Sequence, residues 1–386
     1  METHRGKCGN LTIFSSVLAP FSNIYRNKKV FLTGHTGFKG SWLAEWLLLL
    51  GAEVYGYALE PSSSTSLFHQ LGLASRLHHH IADIRDSSLL EKSLLSFQPD
   101  FIFHLAAQPL VRYSYAQPRE TYETNVMGTI HLLEALRKLQ HLHHSSRVPI
   151  AAVMITTDKV YRNHGHGICF HEEDSLGGHD PYSSSKAMAE MAIEVYRHSY
   201  FKTNSLVRIA SARAGNVIGG GDDAEDRIVP DCVRALQKGE SIPLRHPRSI
   251  RPWQHVLEPL GAYLWLGARL MKEPSLAQAF NFGPNPKENY QVLDLVLEFL
   301  KYWPGDWKDV SDPHAVYEAP LLHLSIDKAV ALLGWQPLWT FQETIAQTAS
   351  WYRSHHEQDR SDAEMTQHQI ASYLTAAKKA NAPWAS

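Results

Sequence analysis

A glycine-rich turn near the start of the chain constrains the fold most strongly. Gly34, Gly37 and Gly40 have the spacing G-x-x-G-x-x-G, directly after an apolar run at 30–33 and directly before a helical run from Ser41. Glycine permits the positive φ of a sharp turn and lets the backbone approach a pyrophosphate, whose charge then lies at the free N–H groups of a helix N-terminus. The turn predicts a dinucleotide site, although a strand-to-helix connection without a ligand is the alternative when the turn is taken alone.

Short apolar runs alternate with longer amphipathic runs from residue 28 onward, which is the pattern of a parallel sheet covered by helices on both faces. The predicted strands are Val30–Thr33, Glu53–Ala58, Phe101–Leu105, Ile150–Thr156, Leu206–Ala212 and Ala279–Phe282. The predicted helices include Ser41–Leu50, Asn125–Leu139 and Ser183–His198. The sequence therefore predicts an α/β, doubly wound (Rossmann) fold with a second, smaller substrate-binding lobe.

The predicted organisation has four parts. An N-terminal extension (1–27) precedes the dinucleotide-binding Rossmann domain (28–215), and a mainly substrate-binding lobe (216–355), rich in glycine and proline, returns in part to the Rossmann domain near 253–285. A polar C-terminal tail (356–386) has a weak helical run at 365–380 and no recognisable chemistry. Residues 11–21 are apolar but lack a convincing signal-peptide cleavage site, so a frayed extension is favoured.

Composition excludes several classes of function. The 37 basic and 39 acidic side chains nearly cancel, so neither nucleic acid nor an anionic membrane is expected as a partner. Three scattered cysteines give neither a disulfide framework nor a zinc set and indicate the cytoplasm. The apolar stretch 42–50 is too short to span a bilayer, and the histidine clusters at 78–80 and 141–144 are interpreted as solvated surface without a metal.

Tyr182 and Lys186 stand four residues apart in a helical run that follows Pro181, so both side chains should share one helix face. A tyrosine has a pKa of about 10, and a nearby ammonium favours the phenolate. Tyr182 is therefore a candidate base. Such a pair can also arise by chance on a helix surface, but this one follows closely behind a strand end at 156–161, at the edge where open α/β sheets bind ligands.

These motifs resemble the extended short-chain dehydrogenases/reductases, because the segments 82–86, 104–108 and 125–129 also fit that family's pattern. The resemblance implies NAD as the cofactor. The cofactor-binding residues that it implies are Gly34, Thr36, Gly37, Phe38, Lys39, Gly40, Asp83, Ile84, Leu105, Ala106, Ala107, Asn125, Tyr182 and Lys186. One feature departs from the family: the strand Glu53–Ala58 has no acid at its tip, where an acid would exclude a 2′-phosphate, and Glu60 is a weak substitute.

The segment Thr157-Asp158-Lys159 is similar to the acid–base segment of the nucleotide-sugar 4,6-dehydratases, in particular those that act on CDP-glucose. The resemblance implies that Thr157 bonds the sugar's 4-hydroxyl, Asp158 protonates the departing 6-hydroxyl and Lys159 takes the C5 proton. Lys159 must be neutral for this, and burial beside Lys186 and the cofactor cation is expected to lower its pKa. The alternative is a strand-end Thr–Asp turn with a solvated lysine.

The likeness extends over roughly 28–352 and also implies a nucleotide-sugar substrate, with CDP-glucose favoured. The implied substrate-binding residues are Arg112, Tyr113, Asn216, Arg227 and Arg251. Family members pair through the helices that start near Asn125 and Ser183, so a homodimer or tetramer with a four-helix interface is expected. Three alternatives stay open: another nucleotide-sugar dehydratase, a UDP-sugar 4-epimerase or decarboxylase, which does not need the Asp158/Lys159 pair, and a non-catalytic dinucleotide-sensing protein.

Overall fold

The structure is a computed structural model that describes residues 19–61, 63–142, 148–163, 169–202, 205–286, 288–311 and 322–385. Its strands are β1 (Lys29–Thr33), β2 (Glu53–Ala58), β3 (His78–Ile81), β4 (Phe101–His104), β5 (Ile150–Ile155), β6 (Cys169–Phe170), β7 (Val207–Ala214), β8 (Val217–Ile218), β9 (Ile242–Leu244), β10 (Gln254–His255), β11 (Ala279–Phe282), β12 (Trp307–Asp309) and β13 (His323–Leu324). Its α-helices are α1 (Phe38–Leu49), α2 (Leu67–Gln70), α3 (Ser87–Phe97), α4 (Val111–Ala116), α5 (Pro118–Tyr122), α6 (Gly128–Leu142), α7 (Pro181–Ser199), α8 (Ile228–Gln237), α9 (Leu257–Leu270), α10 (Val292–Leu300), α11 (Asp327–Leu333), α12 (Phe341–Glu357) and α13 (Asp362–Lys379).

Seven parallel strands form the central sheet in the order β11-β7-β5-β4-β1-β2-β3. The chain runs outward from β1 to β3 on one side and then from β4 to β11 on the other, so the strand order reverses between β1 and β4. Ligands of open α/β sheets bind outside the carboxyl ends of the strands at such a reversal. The predicted doubly wound fold is confirmed, and β11 returns residues 279–282 to the main sheet, as the sequence predicts.

The histidines at 78–80, interpreted from the sequence as solvated surface, form a strand in which His78 is exposed and His79 and His80 are half-buried. They form β3, an edge strand paired in register with β2 from Tyr55↔His78 to Ala58↔Ile81. A ring nitrogen of His79 lies 2.7 Å from a ring nitrogen of His35, in the glycine turn. Three successive histidines show no apolar pattern, so strand periodicity missed them. Of the second cluster, His141 lies in α6, and residues 143 and 144 lie outside the described residues.

Both faces of the sheet are covered by apolar helices. Along β1, Val30 and Leu32 contribute to one core with α1 and α9, whereas Phe31 contributes to the opposite core with α3 and α6. The helix predicted from Ser41 begins at Phe38, and the predicted helix Asn125–Leu139 starts as a π-helical turn at Glu123–Met127 that continues into α6. Within the described ranges, no helix is both long and apolar enough to cross a membrane.

The two ends of the described chain pack together, which the sequence did not predict. The ring of Phe21 stacks on Trp384 with centroids 5.3 Å apart, and the Phe21 amide donates to the Trp384 carbonyl at 2.7 Å. The hydroxyl of Tyr373, on α13, donates to the Glu258 carboxylate on α9 at 2.7 Å. A frayed extension is therefore wrong for residues 19–27, while residues 1–18 lie outside the described part. The C-terminal tail, in turn, is part of the core.

Replacing Trp384 by alanine is expected to lower the free energy of unfolding by about 3–5 kcal/mol, because the fully buried indole leaves a cavity against Phe21 and Tyr373. Urea unfolding followed by circular dichroism measures this. The matched control Lys379→Ala, an exposed position on α13, is expected to stay within about 0.5 kcal/mol of the parent. Equal stability of the two variants would mean that the tail does not support the core.

Candidate active site

A large cavity opens at the carboxyl edge of the sheet, beside the ends of β1, β4, β5 and β7. Its volume is about 1230 Å³, more than the roughly 300–1,000 Å³ of a single small-molecule pocket, so it can hold two ligands side by side. Its wall includes every site residue predicted from the sequence except Asn125: Gly34, Thr36, Gly37, Phe38, Lys39, Gly40, Asp83, Ile84, Leu105, Ala106, Ala107, Arg112, Tyr113, Thr157, Asp158, Lys159, Tyr182, Lys186, Asn216, Arg227 and Arg251.

The three turn glycines have different physical roles. Gly34 has φ +76°, and a Cβ there would lie 2.7 Å from the Ala106 amide nitrogen. A Cβ on Gly40 would lie 2.0 Å from the Gly34 carbonyl oxygen, so α1 could not pack against the turn. Gly37 has open space, with nothing nearer than 3.6 Å, and is exposed in the cavity at the start of α1. Backbone N–H groups at this helix N-terminus are therefore accessible to an anionic ligand.

Asn125 does not line the cavity, contrary to its predicted contact with the cofactor. Its side-chain oxygen accepts from the Gln108 amide at 2.8 Å, and its side-chain nitrogen donates to the Gln108 carbonyl at 3.1 Å and to the Ser185 hydroxyl at 2.9 Å. The buried amide thus ties the loop after β4 to α7. Its three bonds are used within the protein, and it shapes the cavity wall from behind.

Asp83 lies at the far end of the cavity from Tyr182 along the sheet edge, after β3. Its carboxylate accepts two hydrogen bonds from the Arg85 guanidinium, at 2.9 and 2.6 Å, and these bonds lower the pKa of Asp83. Asp83 and Arg85 both line the cavity. At the tip of β2, the Leu59 carbonyl accepts from the Thr36 hydroxyl at 2.9 Å. No carboxylate takes that position, as the sequence indicates.

Tyr182 lies in the first turn of α7, which Asp180 caps by accepting from the Ser183 amide at 2.9 Å. Its ring is only 8% exposed, and its hydroxyl is in the range of Thr157, Asp158 and Lys159. Burial raises the pKa of Tyr182, while Lys159 and Thr157 oppose the rise. The cation that acts most strongly on this phenol is therefore Lys159, rather than Lys186 as its position on the helix suggested.

Two lysines, the buried Lys186 and the half-buried Lys39, lie in the cavity wall. Burial lowers the pKa of Lys186 to about 8, against the opposing charge of Glu190. Burial, with the neighbouring charges of Lys186 and Arg227, lowers the pKa of Lys39 to about 7, and its ammonium lies 2.8 Å from the Tyr263 hydroxyl. An anionic ligand in the cavity would favour the charged form of both amines.

Thr157, Asp158 and Lys159 follow β5 in a short 3₁₀ turn whose side chains bond one another. The Thr157 hydroxyl donates to Asp158 Oδ1 at 2.9 Å, and Lys159 Nζ lies 3.2 Å from the same oxygen. Asp158 is 1% exposed, whereas Lys159 is 31% exposed and paired with Asp158, so the predicted burial of Lys159 beside Lys186 is not what the structure shows. A solvated turn would not bury its carboxylate against a cavity that also contains Tyr182.

Three predicted substrate contacts, Asn216, Arg227 and Arg251, present polar side chains in the cavity wall. Asn216 Oδ1 is buried and has no hydrogen-bond partner within the described ranges. Buried polar atoms are normally bonded, so a ligand donor would complete this site. The Arg227 guanidinium lies 2.8 Å from the Asp222 carboxylate. The Arg251 Nη1 donates to the Ile250 carbonyl at 2.9 Å.

An acidic side chain in the exposed part of the cavity wall pairs with two arginines that are distant in sequence. Asp226 pairs with Arg112, from α4, at 3.0 Å, and also with Arg245. Tyr113, in the same wall, donates to Glu120 at 2.7 Å. Arg245 was missed from the sequence, because nothing in the chain alone shows that residues 112 and 245 meet.

Comparisons with known proteins agree with this geometry. Residues 31–273 match the sequence model of the GDP-mannose 4,6-dehydratase family. The chain is 43% identical over 339 residues to a CDP-glucose 4,6-dehydratase of Salmonella typhimurium, covering 86% of this chain and 92% of that protein. It is 26% identical over 280 residues to a dTDP-glucose 4,6-dehydratase of Xanthomonas campestris, covering 70% and 77% of the two chains.

Among solved structures, the dTDP-glucose 4,6-dehydratase DesIV of Streptomyces venezuelae, with NAD bound, superimposes with a TM-score of 0.71 at 23% identity, over 86% of this chain and 98% of that one. This likeness shows the fold. The family model covers well over half of the chain, and the Salmonella protein is matched over nearly its whole length. The chain therefore belongs to the GDP-mannose 4,6-dehydratase family of extended short-chain dehydrogenases/reductases.

Proposed function

We propose that this chain is an NAD-dependent hydro-lyase that converts CDP-glucose to CDP-4-keto-6-deoxyglucose. The observation that carries the proposal is that Tyr182 and the mutually bonded Thr157–Lys159 segment line one cavity, where this segment acts on the phenol. The base of the oxidation step and the acid–base pair of the elimination step could thus act on the same hexose. The 43% identity to a CDP-glucose 4,6-dehydratase supports both the reaction and the nucleotide.

The cavity fits a dinucleotide as well as the substrate. The backbone at Gly37 and the start of α1 would hold the pyrophosphate, and the positive Lys39 and Lys186 would face its charge. NAD would supply hydride acceptance at the sugar's C4 and hydride return to C6. The tip of β2 lacks the acid that would exclude NADP. The choice of NAD is therefore supported by the solved relatives that hold it, among them DesIV.

Tyr182, as phenolate, would take the proton of the 4-hydroxyl while Thr157 bonds that oxygen. The resulting ketone at C4 acidifies the C5 hydrogen. Lys159 would then remove the C5 proton and Asp158 would protonate the 6-hydroxyl, which leaves as water. Hydride return to C6, with protonation at C5, completes the product.

The ion pair gives a physical account of the elimination step. Transfer of one proton from Lys159 Nζ to Asp158, over the observed 3.2 Å, turns an ammonium and a carboxylate into an amine and a carboxylic acid. These are the base and the acid that the elimination needs. Proton removal from C5 and proton donation to the leaving hydroxyl then restore the original ion pair. The lysine therefore need not be buried to serve as a base.

The test is an incubation of the purified protein and NAD with CDP-, dTDP-, UDP- and GDP-glucose, followed by analysis for a 4-keto-6-deoxy product. Product from CDP-glucose above the others is expected. Conversion of a UDP-sugar to its 4-epimer would favour the epimerase instead, and NAD binding without turnover of any of these sugars would favour a dinucleotide sensor.

We further propose that the enzyme is a cytoplasmic homodimer, or a tetramer built from such dimers. Met188, Met191 and Val195 lie on one face of α7 at helical spacing and are 44%, 43% and 58% exposed. Met127, just before α6, is 44% exposed. Pairing of α6 and α7 with the same helices of a second copy would bury these side chains. Light scattering is expected to give at least twice the mass of one chain, and a monomer would contradict the proposal.

A further inference from the structure

A fully buried ion pair lies behind the catalytic cavity. Glu190, on α7, meets Arg213, on β7, with 3.0 Å between Oε2 and Nη2. The two side chains are only 2% and 5% exposed. Removing two charges from water is costly, and an apolar pair of similar volume is often as stable, so buried ion pairs are weak evidence for stability alone. Neither residue touches the cavity, because neither belongs to its wall.

The Glu190 carboxylate connects three elements whose ends carry the site. Its Oε1 accepts from the Thr156 hydroxyl at 2.5 Å, and its Oε2 accepts from the Ser211 hydroxyl at 2.8 Å. Thr156 is the last residue before the Thr157–Lys159 segment. The carboxylate therefore fixes the end of β5 to α7, the helix that carries Tyr182.

Glu190 also stands four residues after Lys186, so the two side chains lie one above the other on the same face of α7. Burial acts to raise the pKa of Glu190, but the charge of Arg213 and three hydrogen bonds outweigh it, and the net shift is downward. Glu190 is thus a fixed negative charge at neutral pH. That charge opposes the loss of the Lys186 proton that burial favours.

We infer that Glu190 is a positioning residue of the proposed dehydratase reaction, which fixes the strand end that carries Asp158 and supplies the negative charge behind Lys186. It acts through these two residues and touches neither cofactor nor sugar. Arg213 holds it in place, since the guanidinium also donates to the Tyr161 hydroxyl at 2.8 Å and to the Glu172 carbonyl at 2.9 Å. The part of this inference that concerns Lys186 rests on the proposed function.

Several other titratable groups lie near Glu190 or Lys186, and burial lowers the pKa of one of them, His104, to about 3. Arg197, on α7, adds a second positive charge near Glu190, and His104, at the end of β4, and Lys39, on α1, lie near Lys186. Thr156 and Ser211 contribute only neutral hydroxyls. Lys39 titrates near Lys186 in pH, and its pKa depends on the charge of Lys186, so a substitution at 190 acts on Lys39 through Lys186. A difference between two proteins that differ only at residue 190 therefore reports on Lys186.

The experiment compares Glu190→Gln with the parent in two measurements made across pH. The first is kcat/KM for the nucleotide-sugar, and the second is the Kd of NAD in the absence of sugar. Loss of the Glu190 charge is expected to lower the pKa of Lys186, so kcat/KM should begin to fall about one pH unit lower than in the parent. At a fixed pH on this high-pH limb, kcat/KM of the variant should then be about tenfold below that of the parent. The weakening of NAD binding with rising pH should shift in the same direction.

Ser211→Ala is the matched control, because it removes one hydrogen bond to Glu190 and leaves the charge. Its high-pH limb is expected to match the parent. The double variant Glu190→Gln/Arg213→Gln removes both charges of the ion pair, and it is expected to fold and to shift the limb in the same direction if the single variant unfolds. An unchanged limb in folded Glu190→Gln and double variants would overturn the inference. Absence of turnover in the parent would instead contradict the proposed function, while the NAD titration would still test Glu190.

Discussion

Replacing Tyr182 by phenylalanine is expected to lower kcat about 10²–10⁴-fold, the usual contribution of a general acid–base group, while NAD still binds. Phenylalanine keeps the buried ring and removes only the hydroxyl oxygen. The loss should lie in the first chemical step, so a single-turnover experiment should show no reduced nicotinamide. Steady-state rates and NAD titration on the same preparation measure the two effects separately.

Tyr196→Phe is the matched control for this experiment. Tyr196 lies on the same helix, and its hydroxyl donates to Glu134 at 2.7 Å, away from the cavity wall. The control is expected to keep parental turnover. A loss of less than tenfold in Tyr182→Phe, or formation of reduced nicotinamide at the parental rate, would remove Tyr182 from its role as the base.

Replacing Lys159 by methionine is expected to separate oxidation from elimination. Without the amine, the proton of the C5 position has no acceptor, so exchange of the C5 hydrogen with solvent should stop and overall turnover should fall about 10²–10⁴-fold. NAD should remain bound. The oxidised 4-keto sugar and reduced nicotinamide should still form, at a lower rate, because Lys159 is the strongest of the cations that oppose the raised pKa of Tyr182.

Deuterium exchange at C5, followed by mass spectrometry of the recovered sugar, makes this measurement. Lys92→Met, at an exposed position on α3, is the control and should exchange as the parent does. If Lys159→Met retains both C5 exchange and water elimination, this lysine has no part in the mechanism. If it retains C5 exchange but loses water elimination, Lys159 supports Asp158 and is not the base.

Much of the site could be predicted from the chain, because its chemistry is carried by short local segments. The glycine turn, the Thr157–Lys159 segment and the Tyr182/Lys186 pair each lie at the end of a predicted strand or the start of a predicted helix. Since carboxyl ends of parallel strands meet at one edge, these local segments had to face one cavity. All of them line it.

Most of what the sequence did not reveal depends on contacts between residues that are distant in the chain. Asn125 fits the family pattern, yet its bonds go to Gln108 and Ser185, so it lies behind the wall. The ends of the chain gave no pattern that would pair Phe21 with Trp384. The strand β3 was hidden because an edge strand made of histidines has no apolar periodicity.

The sequence by itself determined the fold class, the edge of the sheet where ligands bind and most of the residues around that edge, because hydrophobic period and turn chemistry are local properties. Only the tertiary structure decided which charges face each other: Lys159 with Asp158, Glu190 with Arg213, and Asp226 with two arginines. Burial and Coulomb interaction depend on distances in space between residues far apart in the chain, and those distances set the protonation states on which the proposed chemistry depends.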